Sequence, residues 1–279
     1  MLSVFFGLIS DLVWGAADFA GGMASRRSSS YRVVLVAEVL GLFMLITAAF
    51  LISEPFFGWI PWLWCAAAGA IGSLGLVLLY RAMAEGKMSL AVPVSALMAA
   101  LLPAVVGSFL EGLPSISTFT GFALALGAIW FISKPEQETN ASKTIGFSDL
   151  FLPLVAGVGF GMYFILIHQG NQGSVIWPMV ASRSGGSFIL VFFLLITRQG
   201  WKPSKAAMPL IALNAVLDVG GNAFYILADQ FGRMDVAAVL SSLYPASTIG
   251  LAWLLLKERL HRPQMFGVFL ALTAIVLIT

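Results

Sequence analysis

Charge is what this chain has least of. Acidic and basic side chains make up 10% of its 279 residues, where about a quarter is usual in soluble domains. So few cannot coat a water-soluble globule. The chain also has a single cysteine, Cys65, which excludes an intrachain disulfide and leaves no basis for a cysteine-bound metal. The net charge of +2 sits in short loops rather than on a folded face, so it does not point to nucleic acid. No basic segment precedes the first apolar run, which carries Asp11 and Asp18 and therefore reads as a retained helix rather than a leader. Gly157, Gly159 and Gly161 lack the preceding strand and following acid of a dinucleotide site, and no NDxxD-like metal-diphosphate motif is present. No cofactor and no metal are expected.

What is present is apolar: hydrophobic residues reach 59%. Roughly 20 such residues span the hydrocarbon core, and ten stretches qualify, at 2–23, 32–53, 59–83, 90–110, 117–133, 148–168, 174–197, 206–228, 235–256 and 263–279. The expected fold is an all-α membrane protein of ten spans.

The eighth stretch carries a polar stripe. Asn214, Asp218, Asn222, Tyr225 and Asp229 recur at helical spacing, so one face of a buried helix is polar. The first span places Asp11, Trp14 and Asp18 on one face. A carboxylate at mid-bilayer costs at least about 2.5 kcal/mol on insertion scales, so it faces a cavity or a partner. Asp11 and Asp218 are the expected central carboxylates. Asp18, Glu38 and Arg183 are candidates for an ion pair or proton relay, or for plain pairing inside the bundle. Asp229, at a helix end beside Arg233, and His168, beside the loop HQGNQGS, are expected at the interface. Trp14 and Tyr163 would supply aromatic walls; Ser95, Ser241, Ser242 and Tyr244 would supply further contacts from the proline-bearing spans. Pro93, Pro103 and Pro245 free backbone carbonyls and suit moving elements, although proline is common in membrane helices generally.

The chain matches itself at a shift of 146 residues: Gly86 with Gly232, Met88 with Met234, Ser95 with Ser241, Gly121 with Gly267 and Ala125 with Ala271. Two five-helix halves follow, 1–133 and 148–279, joined by the polar linker 134–147. Five is odd, so the halves are inverted. Arg26, Arg27, Arg32, Arg81 and Lys87 in one half, and Arg198, Lys202, Lys205, Lys257, Arg259 and Arg262 in the other, then fall on one side with Lys134 and Lys143, leaving Arg233 opposite. The positive-inside rule makes that side cytoplasmic and puts both termini outside.

With these features the chain resembles the drug/metabolite transporter superfamily, in particular the ten-helix EamA-type permeases. The resemblance rests on the two repeats, on Trp14-Gly15 and Phe160-Gly161 in the first helix of each half, on Glu111 and Glu258, and most on YILADQFGRMDVAAVLSSLYPASTIGLAWLLLKERL. It implies an inverted-repeat secondary transporter with a central cavity formed by helices one, three, four, six, eight and nine. It also implies cytoplasmic termini, opposite to the charge reading.

The expectation is alternating access at a midplane site for a metabolite, amino acid or organic cation, since acids outnumber the one deep base, with protons as a coupling partner. The setting is a multi-pass position in a bacterial cytoplasmic membrane, as monomer or homodimer. Two other readings remain: an uncoupled channel or facilitator, and an enzyme pairing Asp11 with Asp218 as acid and base.

Overall fold

A backbone in hydrocarbon must satisfy its own hydrogen bonds, and long apolar runs do so as helices. The computed structural model of the chain is helical accordingly, with no strand among the described residues: 1–85, 88–132, 147–171, 173–198, 200–247 and 262–278, with backbone only at 88–90, 132 and 147–149. In chain order the helices are α1 (Leu2–Ser25), α2 (Ser30–Ile52), α3 (Trp59–Ala84), α4 (Met88–Leu110), α5 (Ile116–Ile132), α6 (Phe147–Gly170), α7 (Ile176–Thr197), α8 (Met208–Gln230), α9 (Met234–Ser241) and α10 (Arg262–Ile278). Seven of these regions, Leu2–Ser25, Ser30–Ile52, Trp59–Ala84, Ala91–Leu110, Leu150–Gly170, Ile176–Thr197 and Lys205–Gln230, are long and apolar enough to cross a membrane; Ile116–Phe131 and Arg262–Ile278 are shorter apolar helices. Positions 134–146 of the linker and Lys257, Glu258 and Arg259 lie outside the described residues.

The ninth apolar stretch differs from its expected form. α9 stops at Ser241, a turn occupies 242–243, and the backbone is helical again at 244–247. Pro245 explains the break: it has no N–H to donate to Ser241, and its ring collides with that carbonyl in a continuous helix. Leu243 instead donates to Leu240 at 3.2 Å, and Ala246 to Leu243 at 2.8 Å. Pro93 and Pro103 sit inside α4 without interrupting it.

Helices pack as two blocks. α1 lies along α8, and α3 lies along both α6 and α7. The contacts recur in a pattern: α1 meets α8 as α6 meets α3, and α2 meets α8 as α7 meets α3, while α5 and α10 form an outlying pair. Glycine makes the α3–α7 crossing intimate. A Cβ at Gly69 would fall on the Ser182 carbonyl, and one at Gly185 on the Ala66 carbonyl, so backbone meets backbone. Away from these contacts large apolar side chains face outward, with Phe109 85%, Phe50 76% and Val276 75% exposed. Such a surface belongs in lipid.

The α2–α3 connection also holds α7. Glu54 accepts hydrogen bonds from Ser174 Oγ (2.8 Å) and from the Val175 and Ile176 amides (3.2 Å each), satisfying donors that the helix start leaves unpaired.

Candidate functional site

Between the two blocks lies a cavity of about 600 Å³, part of it open to the outside. Its wall takes Trp14 and Asp18 from α1, Glu38 from α2, Gly69, Gly72, Ser73 and Leu76 from α3, and Ala99 from α4. Phe160, Tyr163 and Phe164 come from α6, Ser182 and Arg183 from α7, and Asp218 and Asn222 from α8; Tyr244 follows the α9 break. Small residues on α3 leave the space, and large ones on α1 and α6 wall it with rings. Helices two and seven thus join the six expected to form it.

Arg183 is the electrostatic centre. Its Nη1 lies 3.0 Å from Glu38 Oε1, and its Nη2 donates to Asp218 Oδ2. Ser73 Oγ donates to the same Glu38 oxygen at 2.8 Å, while Glu38 Oε2 is buried without a hydrogen-bond partner among the described residues. One guanidinium therefore serves two carboxylates. Removing either charge type from such a buried set would strand the other.

Asp18 belongs to a separate chain of bonds. It accepts from Tyr80 Oη at 3.1 Å; that oxygen accepts from Asn214 Nδ2 at 3.0 Å, and the same amide reaches the Ala17 carbonyl at 2.9 Å. No cation pairs with Asp18 among the described residues. Asn222 is oriented from both ends, accepting from Tyr163 Oη and donating to the Asp218 carbonyl at 2.6 Å.

The aromatic wall is continuous with the packing behind it. Trp14 stacks on Tyr225 with ring centres 5.7 Å apart and an interplanar angle of 27°, and Phe164 lies 4.5 Å from Tyr225. Gly221 makes room for the indole, since a Cβ there would press into the Trp14 ring.

Of the residues singled out from sequence, Trp14, Asp18, Glu38, Tyr163, Arg183, Asp218, Asn222 and Tyr244 line the cavity. The others lie behind or away from it. Asp11 is not part of the cavity wall; it accepts from Ser247 Oγ, and its Oδ1 is buried without a partner among the described residues. Asn214 supports Asp18 through Tyr80, and Tyr225 is fully buried behind Trp14. Ser95 bonds to Tyr244 Oη (3.0 Å), Ser241 donates to the Gly7 carbonyl (3.4 Å), and Ser242 to the Ala238 carbonyl (2.7 Å). Ser73, Ser182 and Phe164 were not singled out; only their place opposite the charged residues marks them. Asp229 pairs with His168 Nδ1 at 2.9 Å and accepts from Asn171, whereas Arg233 turns to Asp235 (2.7 Å) and to the carbonyls of Glu111 and Gly112. Among the described residues no group of three His, Cys, Asp or Glu side chains could hold a metal.

Comparison with known proteins gives four findings. Residues 147–279 match the model of the EamA-like transporter family. An uncharacterized protein of Methanocaldococcus jannaschii is 39% identical over 130 residues, 47% of this chain and 95% of that protein. An uncharacterized solute carrier family 35 member of Schizosaccharomyces pombe is 33% identical over 87 residues, 31% of this chain and 16% of its own length. A solved protein crystal structure superposes with a TM-score of 0.77 at 11% identity, covering 99% of this chain and 96% of its own, which shows a shared fold.

Proposed function

The chain belongs to the EamA-like transporter family, and from that premise we propose that it is a secondary transporter for small molecules bearing an ammonium group, working by alternating access in the cell membrane. The family and the long apolar helices make the chain a multi-pass membrane transporter. One observation carries the proposed substrate class. The cavity wall holds three carboxylates, Asp18, Glu38 and Asp218, against one guanidinium, under aromatic rings. Two acids are occupied by Arg183, and among the described residues Asp18 has only a phenol and no cation. An organic cation or an amino acid's ammonium would complement Asp18, with Trp14 and Phe160 as π faces.

In this reading the halves 1–133 and 148–279, joined by 134–147, are inverted repeats with five spans each. The recurring contacts of α1 with α8 and α6 with α3 support that symmetry. The two blocks would rock about the cavity, with Pro93, Pro103 and the Pro245 break giving the α4 and α9 segments room to bend. Asp18, on the cavity wall and without a paired cation among the described residues, would carry a proton in one facing state and release it in the other.

Purified protein in liposomes tests this directly. An imposed pH step should drive accumulation of a labelled organic amine above its equilibrium level, and Asp18→Asn should abolish it. Equilibration without accumulation would reduce the protein to a facilitator. Accumulation indifferent to Asp18→Asn would overturn the assignment of the cationic site.

A further inference from the structure

The end of the bundle bearing the α1–α2 and α7–α8 connections carries a built basic surface that the transport reading does not use. The two connections clasp each other. Arg27 Nη1 donates to the Ala206 carbonyl at 3.3 Å and Arg32 Nη1 to the Lys202 carbonyl at 3.5 Å. Tyr31 Oη donates to the Gly200 carbonyl at 2.9 Å, and the Ser204 amide to Ser28 Oγ at 3.4 Å. Four exposed cations project from this clasp: Arg26, Arg198, Lys202 and Lys205. None of the four pairs with a carboxylate among the described residues.

What lies beside the clasp decides what would bind there. Trp201, 57% exposed, has Lys202 Nζ 5.6 Å from its ring centre. An indole beside basic residues at the end of membrane helices is the arrangement of the headgroup layer. Running from the clasp along α7, Phe188, Phe192, Leu195 and Ile196 form one outward stripe at helical spacing, 71%, 51%, 68% and 65% exposed. A soluble anion would use the cations and leave this stripe bare. A phospholipid uses both: phosphate against the cations, acyl chain along the stripe.

We propose that the clasp between the α1–α2 and α7–α8 connections is a binding site for the headgroup of an anionic phospholipid whose acyl chain lies along α7. The site is independent of the transport reading and requires only that the chain sits in a bilayer. Because the clasp joins the two halves of the chain, an occupied site holds the α1–α2 and α7–α8 connections together from outside.

The test compares the protein in bilayer nanodiscs of phosphatidylcholine alone with nanodiscs containing phosphatidylglycerol. Lipid retention is read by native mass spectrometry and stability by melting temperature. Each basic side chain near an anionic surface adds to the attraction, so four together should give phosphatidylglycerol at least roughly a ten-fold preference in retention over phosphatidylcholine. That preference should weaken in salt. Arg26, Arg198, Lys202 and Lys205 changed together to Gln spare Arg27, Arg32 and Tyr31, so the clasp itself stays bonded. This variant should keep the wild-type melting temperature in phosphatidylcholine and lose both the preference and the extra stability in phosphatidylglycerol; Lys202→Arg with Lys205→Arg should keep them. Wild-type and Gln variant responding alike to phosphatidylglycerol would overturn the proposal. So would inorganic phosphate reproducing the stabilisation in phosphatidylcholine, because then the stripe on α7 contributes nothing.

Discussion

Arg183 and Glu38 form an ion pair across the cavity wall, Nη1 to Oε1 at 3.0 Å, tying α7 to α2, while the second Arg183 nitrogen holds Asp218 on α8. The arrangement makes the cation harder to lose than the whole set. Arg183→Gln leaves two buried carboxylates without their counter-charge and should cost about 3–5 kcal/mol of stability. Neutralising all three with Glu38→Gln and Asp218→Asn should recover most of it. Denaturant unfolding of the detergent-solubilised protein checks both, and a triple variant no more stable than the single one would contradict the pairing.

Asp18 should behave differently, because its hydrogen-bond partner Tyr80 can be served equally by an amide oxygen. Asp18→Asn is expected to leave the melting temperature near wild type. It should weaken binding of an organic ammonium ligand by about 10- to 100-fold, the worth of one charge-assisted hydrogen bond. Calorimetric titration measures the second effect and a thermal melt the first.

Glu54 predicts a graded series at the start of α7. It accepts two backbone amides and a hydroxyl there, so Glu54→Ala should destabilise by about 1–2 kcal/mol. Glu54→Gln keeps an acceptor but loses the negative charge favoured at a helix N-terminus, and should cost roughly half as much. Equal losses in denaturant midpoints would mean that charge plays no part.

The α3–α7 crossing predicts a contrast between glycines. Gly69→Ala puts a methyl on the Ser182 carbonyl, a backbone atom that cannot move alone, and should cost about 1–3 kcal/mol. At Gly127 a Cβ would have Leu270 Cδ1 at 3.8 Å as its nearest neighbour, so Gly127→Ala should be neutral or slightly stabilising. Melting temperatures of the two variants separate them.

Span positions were the most legible feature of the sequence, because bilayer thickness sets helix length and composition marks its ends; the expected 59–83 became Trp59–Ala84 and the expected 2–23 became Leu2–Ser25. Family membership was legible as well, from the glycine-aromatic pairs and the segment after Tyr225. Helical spacing correctly put Asn214, Asp218 and Asn222 on one buried face of α8. Spacing cannot say what that face meets. α2 lies far in the chain from the consecutive helices α7 and α8, yet the three bring Glu38, Arg183 and Asp218 together, and nothing local to any of them encodes the meeting. Asp11 illustrates the same gap: one helical face carries Asp11 and Asp18, yet one points to Ser247 and the other to the cavity. Gly69 and Gly72 pack closely against Ser182 and Tyr163, and small residues there leave the room that a ligand would occupy.

The Arg183–Asp218 bond crosses between the two packed blocks, with α3, α6 and α7 on one side and α1 and α8 on the other. Separating those blocks therefore requires a cation to leave Asp218. In a bare cavity that step would expose an unbalanced carboxylate and an unbalanced guanidinium together. In the transport reading proposed above, an ammonium held at Asp18 would bring a second cation to the cavity wall that also carries Asp218, and so would lessen that imbalance. Opening would then be easier with cargo aboard than in the empty cavity.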